Sequence, residues 1–520
     1  MKHAFSKLTL ALALIGFTQI SSAGTDTFFN PLTHSASVAS PNHVNELNNP
    51  WVIPAGVVTK NLTSMREVES DINQSIIRVD AGTSGSMFDM LAYDPSGRYI
   101  FIPHETSFGA GASRYDTVTD KNEVIFAGDQ QGLRGDWSND YGAFDPARFT
   151  PNKTLWLGEE WAGQGRIIEI LNPFAPASEI KYRELDSIAN VAHEGINFSE
   201  KYKDTVYFID EFNSGSIYKF VMKKVGDYTK GQTFVLAIDN FKGDVIANWN
   251  DAKNANQSRT GSGKWIPLTD KNGKPLTATS PFNNANLGGR ASADEAGGTP
   301  YGRPEDMEVS ELANGREVFY FTATSEQAVY SVEVINKDKV LVREFLSEKN
   351  TPKNSGFQPT TGVLNSPDNL AQDALGNIYV IEDSPNGDNV GGDIWFARDT
   401  NNDGVAESLD HFMSVQVDGS EATGMIFNPA DPTKFVVAVQ HPDSTNLATV
   451  ANGLGDAIWE FDLSTTVPPL CSDEKEHFKK WDHKKNSYES TCTNAHDYNF
   501  VWLLKTAHKM NKWPKDWWKH

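Results

Sequence analysis

The chain has 520 residues, with 46 Lys and Arg against 68 Asp and Glu and a formal net charge of −22 at pH 7. Such acidity argues against nucleic acid or an anionic membrane surface as partner, and suits a protein that is merely soluble or one that gathers cations. The two cysteines are Cys471 and Cys492, so the long body before them holds no thiolate metal site and no cysteine nucleophile.

Residues 1–23 read as a secretory signal peptide. Lys2 and Lys7 make a positive start, Leu8 to Phe17 is a short apolar run, and Ser21-Ser22-Ala23 is a small-residue cleavage site. The apolar run is too short to span a bilayer, and no other stretch is a candidate span. Removing the leader takes two lysines and no acid, leaving −24. The expected location is periplasmic or extracellular. Residues 24–75 read as an irregular N-terminal arm.

From residue 76 to 464 the pattern is all-β. Short runs rich in Tyr, Phe, Val and Ile stand between turn signals: GRYIFIPHE (97–105), TLWLGEEW (154–161), DTVYFIDEF (204–212), REVFYFTAT (316–324), GNIYVIED (376–383) and TKFVVAVQHP (433–442). Partner runs follow at 215–222, 327–334, 392–399 and 456–463. Strand, polar loop and aromatic-rich strand, repeated at irregular spacing, predict a β-propeller with six blades and long insertions. A pair of β-sandwiches is the alternative. Residues 240–296 are polar and poor in strand signals, and read as an insertion across one face.

Residues 465–520 read as a linker, TTVPPL, and a small tail. The tail is rich in Trp, His and Lys, and NFVWLLKTAHKM within it reads helical. In an exported protein Cys471 and Cys492 are expected to form one disulfide. Trp513, Trp517 and Trp518 with interspersed Lys read as covering an edge of the propeller, with docking on an unknown protein partner as the alternative.

The informative acids sit at the polar ends of the strands: Glu105, Glu159 and Glu160, Asp210 and Glu211, Glu382 and Asp383. Inner strand ends of a propeller point at its central channel, so carboxylates from several blades can converge there. A hard cation such as calcium takes six to eight oxygen ligands, more than one loop supplies. Each acid alone reads as a solvated turn residue; the repetition is what points to a site. His193 and Glu194 in VAHEGINF, Asp368 and Asn369 in NSPDNLAQD, and Glu421 in DGSEATG join the candidates. His193 alone reads as a hydrogen-bonded core residue.

DTNNDGVAESLD matches a calcium-loop spacing through Asp399, Asn401, Asp403, Glu407 and Asp410, with Gly404 at the sharp turn. An ordinary Asn-Asp-Gly turn is the competing reading. No serine nucleophile elbow, phosphate-cradling loop or dinucleotide fingerprint is present.

The ordered set LGEEW, VAHEGINF, VYFIDEFNSGSIYKF, GGTPYGRPEDMEV, SPDNLAQDALGNIYVIED and GSEATGMIFNP, from about Met87 to Asp462, resembles the PhoX-type alkaline phosphatases. The resemblance implies a secreted propeller that hydrolyses small phosphate monoesters at a calcium and iron cluster in its channel. It implies that Arg303 contacts phosphate and that Glu305 ligates metal. Glu159, Glu160, Glu194, Asp210, Glu211, Asp368 and Glu421 are the further ligands so implied. The family commonly carries a Cys as iron ligand before the paired acids, where this chain has Gly158. A calcium-only site, or another metal held by oxygens, is therefore expected. A calcium-dependent lactonase or esterase, and a non-catalytic calcium-binding propeller that binds a partner, are the alternative readings.

Overall fold

The computed structural model describes residues 27–38, 48–72, 88–106, 110–127, 141–161, 164–283, 287–442 and 453–466, and a two-residue strand pair, Trp481–Asp482 with Ser487–Tyr488. The expected leader, the disulfide and the helical tail lie outside these residues. Among the described residues no helix is long and apolar enough to cross a membrane.

The body is all-β and propeller-like. Antiparallel meanders follow one another along the chain, each starting with an inner strand and moving outward. The first sheet runs Ala92–Tyr93, Tyr99–His104, Gly111–Asp116, Lys121–Ala127, and the second Phe144–Phe149, Leu155–Glu159, Ile167–Ile170, Tyr182–Glu184. A nine-stranded sheet contains two such meanders. One is His193–Phe198, Thr205–Asp210, Ile217–Met222, Gly231–Ile238; the other is Pro304–Glu311, Glu317–Ala323, Ala328–Val334, Lys339–Ser347. Their outer edges are joined by Gly261–Pro267, which pairs with Gly231–Ile238 on one side and Lys339–Ser347 on the other. The polar stretch 240–296 thus supplies a bridging strand, and also the helix Gly288–Ala296.

Two stretches of the N-terminal arm enter the sheets. Trp51–Val52 extends the meander Pro367–Gln372, Ile378–Glu382, Asp393–Arg398, Ser408–Val415. Val58–Ser64 is the outer strand of the last sheet, beside Ala457–Asp462, Lys434–Gln440 and Glu421–Phe427. That last sheet packs back on the first: Ile426, Val436, Ala438 and Ile458 share one core with Tyr93, Ile100 and Ile102.

Apolar alternation drives this packing, because each sheet buries both faces between its neighbours. Aromatic rings stack across neighbouring strands and between meanders. Phe435 stacks on Phe461 at 4.9 Å, Tyr207 on Phe319 at 4.5 Å, and Phe208 on Tyr218 at 5.1 Å.

Candidate active site

One register device recurs on the inner strands. Phe144 pairs with Glu159 and the next pair is Ala147 with Leu157, so one strand carries an extra residue. The same shift lies between His193 and Ile196, between Pro304 and Met307, and between Pro367 and Leu370. Each is a β-bulge, which bends the strand and re-aims a side chain. The first residue of each bulge is an acid: Asp145, Glu194, Glu305 and Asp368. Asp89 takes the matching place after Phe88, which bridges to His104. In the last sheet Glu421 pairs with Gln440, and the bulge falls later, between Thr423 and Ile426. The bulges let neighbouring inner strands approach closely. A Cβ on Gly195 would lie 2.6 Å from the Glu305 carbonyl oxygen, so no other residue fits there without a shift.

These acids converge. Ligand oxygens of Glu194, Glu305 and Asp368 lie within 4.8 Å of one another. Burial, then Glu305, pushes Glu194 and Asp368 well above the usual carboxylate range. Burial, then Asp89, does the same to Asp145. Burial and Glu211 push Glu305 up to about 8, and burial pushes Asp89 up to about 6. Glu421 is raised by burial and by its contact with Asp383.

A second group stands where the next strand ends. Glu105, Glu160 and Glu211 each follow the last residue of an inner-adjacent strand. The Glu160 amide donates to the Ala143 carbonyl and the Glu211 amide to the Ala192 carbonyl, so the two residues sit alike in adjacent meanders. Burial and Glu211 raise Glu160, and burial and Asp89 raise Glu105. Glu211 goes the other way: against its burial, Glu160 and Arg303 hold it below its ordinary value.

Arg303 closes this group. Its Nε lies 2.6 Å from Glu211 Oε1 and 3.1 Å from Glu305 Oε1, and its Nη1 lies 3.8 Å from Asp383 Oδ2. Against its burial, Glu305 and Glu211 hold its pKa above the ordinary value. The backbone is pinned as well. The Arg303 amide donates to the Phe212 carbonyl at 3.0 Å and its carbonyl accepts from the Thr324 amide at 3.0 Å. Its φ is +48°, in the left-handed region that a non-glycine residue rarely adopts. The run Gly-Arg-Pro-Glu is therefore a strained turn that holds a cation beside a carboxylate.

Other expected site acids are engaged elsewhere. Glu159 is bound by the Arg166 guanidinium at 2.7 and 2.9 Å. Arg290 grips Asp210 through both Nε and Nη2 at 2.7 Å. Glu382 accepts from the Asn365 and Asp393 amides and from the Trp395 indole. Of the calcium-like loop, Asp399 accepts from the amides of Asp403 and Gly404, and Glu407 from that of Thr400. Asp410 lies in a strand, 2.9 Å from the Arg398 guanidinium. Asn401 and Asp403 remain in the turn. His193 is fully buried against the Phe208 ring, and burial pushes its pKa down to about 3.

The residues fit a hard cation. Buried oxygens of Asp145, Glu194, Asp368 and Glu421 have no hydrogen-bond partner, which is costly unless a cation answers them. The donors are oxygens throughout. Gly158 faces packed side chains, where an added Cβ would lie 2.8 Å from Pro146 Cγ and 3.0 Å from His193 Cβ. A thiol does not fit that place as the chain folds here.

The family model for alkaline phosphatase PhoX matches residues 116–340 and 338–443. The chain belongs to the PhoX family. The structure of Pseudomonas fluorescens PhoX in complex with vanadate, a transition state analogue, shares its fold with a TM-score of 0.58 at 14% identity, over 84% of this chain and 97% of that one. A gluconolactonase from Xanthomonas campestris matches more loosely, with a TM-score of 0.38 and 9% identity over 84% and 96%. The calcium-binding protein regucalcin from Agrobacterium tumefaciens gives 0.35 and 11% over 74% and 92%. No curated protein sequence matches the chain. Asp89 and Asp145 are acids of this cluster that sequence reasoning passed over. Their signal was a Phe-Asp pair at the start of the first two meanders, Phe88-Asp89 and Phe144-Asp145.

Proposed function

We propose that this PhoX-family protein hydrolyses small phosphate monoesters in its propeller channel, with calcium as the resident cation. The observation that carries this reading is Arg303. Its partly exposed guanidinium is held by a strained turn against Glu211 and Glu305, next to buried carboxylates that far outnumber the cations facing them. Glu194, Glu305 and Asp368 would hold the cation, with Asp89, Asp145 and Glu421 beside them. When bound, calcium supplies charge neutralisation for phosphoryl oxygens and lowers the pKa of an attacking oxygen.

The chain's own residues do the rest. Planar Arg303 presents parallel N–H donors to a phosphate, and its pinned backbone removes reorganisation as charge develops on the phosphoryl oxygens. Glu211 and Glu305 orient that guanidinium. The strand-end acids Glu159, Asp210 and Glu382 hold the loops that carry their neighbours. No covalent amino-acid nucleophile is invoked. The family membership supports a phosphatase, and the all-oxygen donor set favours calcium over iron. We read the nine-stranded sheet as two blades, which makes six, and place the protein outside the cytoplasm on the strength of residues 1–23.

The test is metal analysis of the purified protein beside hydrolysis of a chromogenic phosphate monoester. Bound calcium, with turnover abolished by chelation and by Glu305→Gln, is the expected result. Bound calcium without turnover on several esters and a lactone would overturn it in favour of a binding propeller.

A further inference from the structure

The residue after a channel-facing strand-end acid differs from meander to meander; after Glu105 it is the buried Thr106. In two adjacent meanders it is aromatic: Trp161 follows Glu160, and Phe212 follows Glu211. Glu160 and Glu211 touch, so the two rings are carried by residues one step beyond a shared contact. Phe212 is the better defined. Its carbonyl accepts the Arg303 amide, which ties its backbone to the cation of the site. The Arg290 guanidinium lies 3.8 Å from its ring centroid, and Arg290 is fixed in turn by both oxygens of Asp210. The ring is thus braced on one side by a cation–π contact, yet the residue remains 42% exposed. A large apolar side chain gains nothing from facing water, whereas a braced ring with an open face is prepared to stack on a planar group.

We propose that Phe212 is a leaving-group platform, so that the site prefers phosphate monoesters of aromatic alcohols over those of small polyols. This rests on the phosphatase reading and deepens it. With phosphate against Arg303, an ester's leaving group would extend from the phosphorus toward Phe212, whose carbonyl holds the Arg303 amide and which follows the Glu211 that holds its guanidinium. Trp161, in the adjacent meander, has its indole N–H engaged by Gln164 at 2.6 Å.

The experiment compares phenyl phosphate with glycerol 2-phosphate in the calcium-loaded full chain, for the natural protein, Phe212→Ala and Phe212→Tyr. The expected result is a KM for phenyl phosphate raised roughly five- to tenfold in Phe212→Ala and restored in Phe212→Tyr. The KM for glycerol 2-phosphate should move less than twofold. Equal losses for both esters would reduce Phe212 to a backbone support for Arg303, and no change for either would remove it from the site; both overturn the platform. Calorimetric binding of phenylphosphonate against methylphosphonate gives a readout apart from turnover. A phenyl preference that disappears in Phe212→Ala supports the platform even if no ester is hydrolysed, in which case the phosphatase reading alone falls. Absence of any phenyl preference in the natural protein overturns the platform while leaving that reading intact.

Discussion

Glu159 and Glu160 are neighbours in sequence and opposites in role, and so are Asp210 and Glu211. The first of each pair faces the blade. It is fully buried, and an arginine meets it through two hydrogen bonds. The second faces the channel, where Glu160 and Glu211 lie against each other. The difference teaches that an acid's charge balance, more than its burial, tells what it is for. A buried carboxylate matched by its own arginine is a finished structural joint, whereas buried carboxylates matched mainly by other carboxylates await a cation.

The comparison can be broken at Arg303, whose guanidinium meets Glu211 and Glu305. Arg303→Ala should lower turnover by about 10²–10³-fold and weaken inhibition by phosphate, with the melting temperature nearly kept. Unchanged phosphate inhibition would take Arg303 out of the site. The blade-facing class should respond through stability. Asp210→Asn leaves Arg290 buried with a weaker partner, and a loss of about 3–5 kcal/mol is expected by denaturant unfolding. A loss below about 1 kcal/mol would show that the pair is not a structural joint.

The channel class should respond through pH. Glu305 has its folded pKa raised to about 8 from 4.5, and Asp145, Glu160, Glu194 and Asp368 are raised in the same direction. The folded protein holds these protons more tightly than the unfolded chain. The stability they contribute is therefore full below about 4.5 and is lost as pH rises through about 8. Chelated protein should melt at falling temperature across that window, and added calcium should flatten the slope. A metal-free melting temperature that rises over the same window would contradict the cluster. The smallest effect sharpens the contrast most: Glu194→Gln should stabilise the chelated protein by about 1 kcal/mol while weakening calcium binding about 10–100-fold. The same swap at Glu159 should do neither.

Much of this architecture was legible. All six apolar runs chosen from the sequence are strands, and so are the four partner runs, because aromatic and β-branched clusters between turn residues have few other ways to be buried. The strand-end acids were legible as a group. Which of each pair enters the channel was not, since adjacent residues on a strand point to opposite sides and only the register says which side is which. Asp89 and Asp145 were missed for a related reason. They are aimed inward by one-residue bulges, and a bulge leaves little trace in composition. Gly261–Pro267 escaped because a bridging strand at the outer edge needs no apolar alternation; its burial is broken and partly exposed.

The pairing of Val58–Ser64 with Ala457–Asp462 has a consequence in time. Asp89 belongs to the first sheet and Glu421 to the last, so the channel has no complete wall until strands nearly 400 residues apart have met. Such a long closure is slow and comes late. Until then the acids are spread along an open, repelling arc that binds ions weakly. A cation bound between acids of different sheets would act as the clasp of a necklace, so the late step that shuts the ring is also the step that completes the ion site.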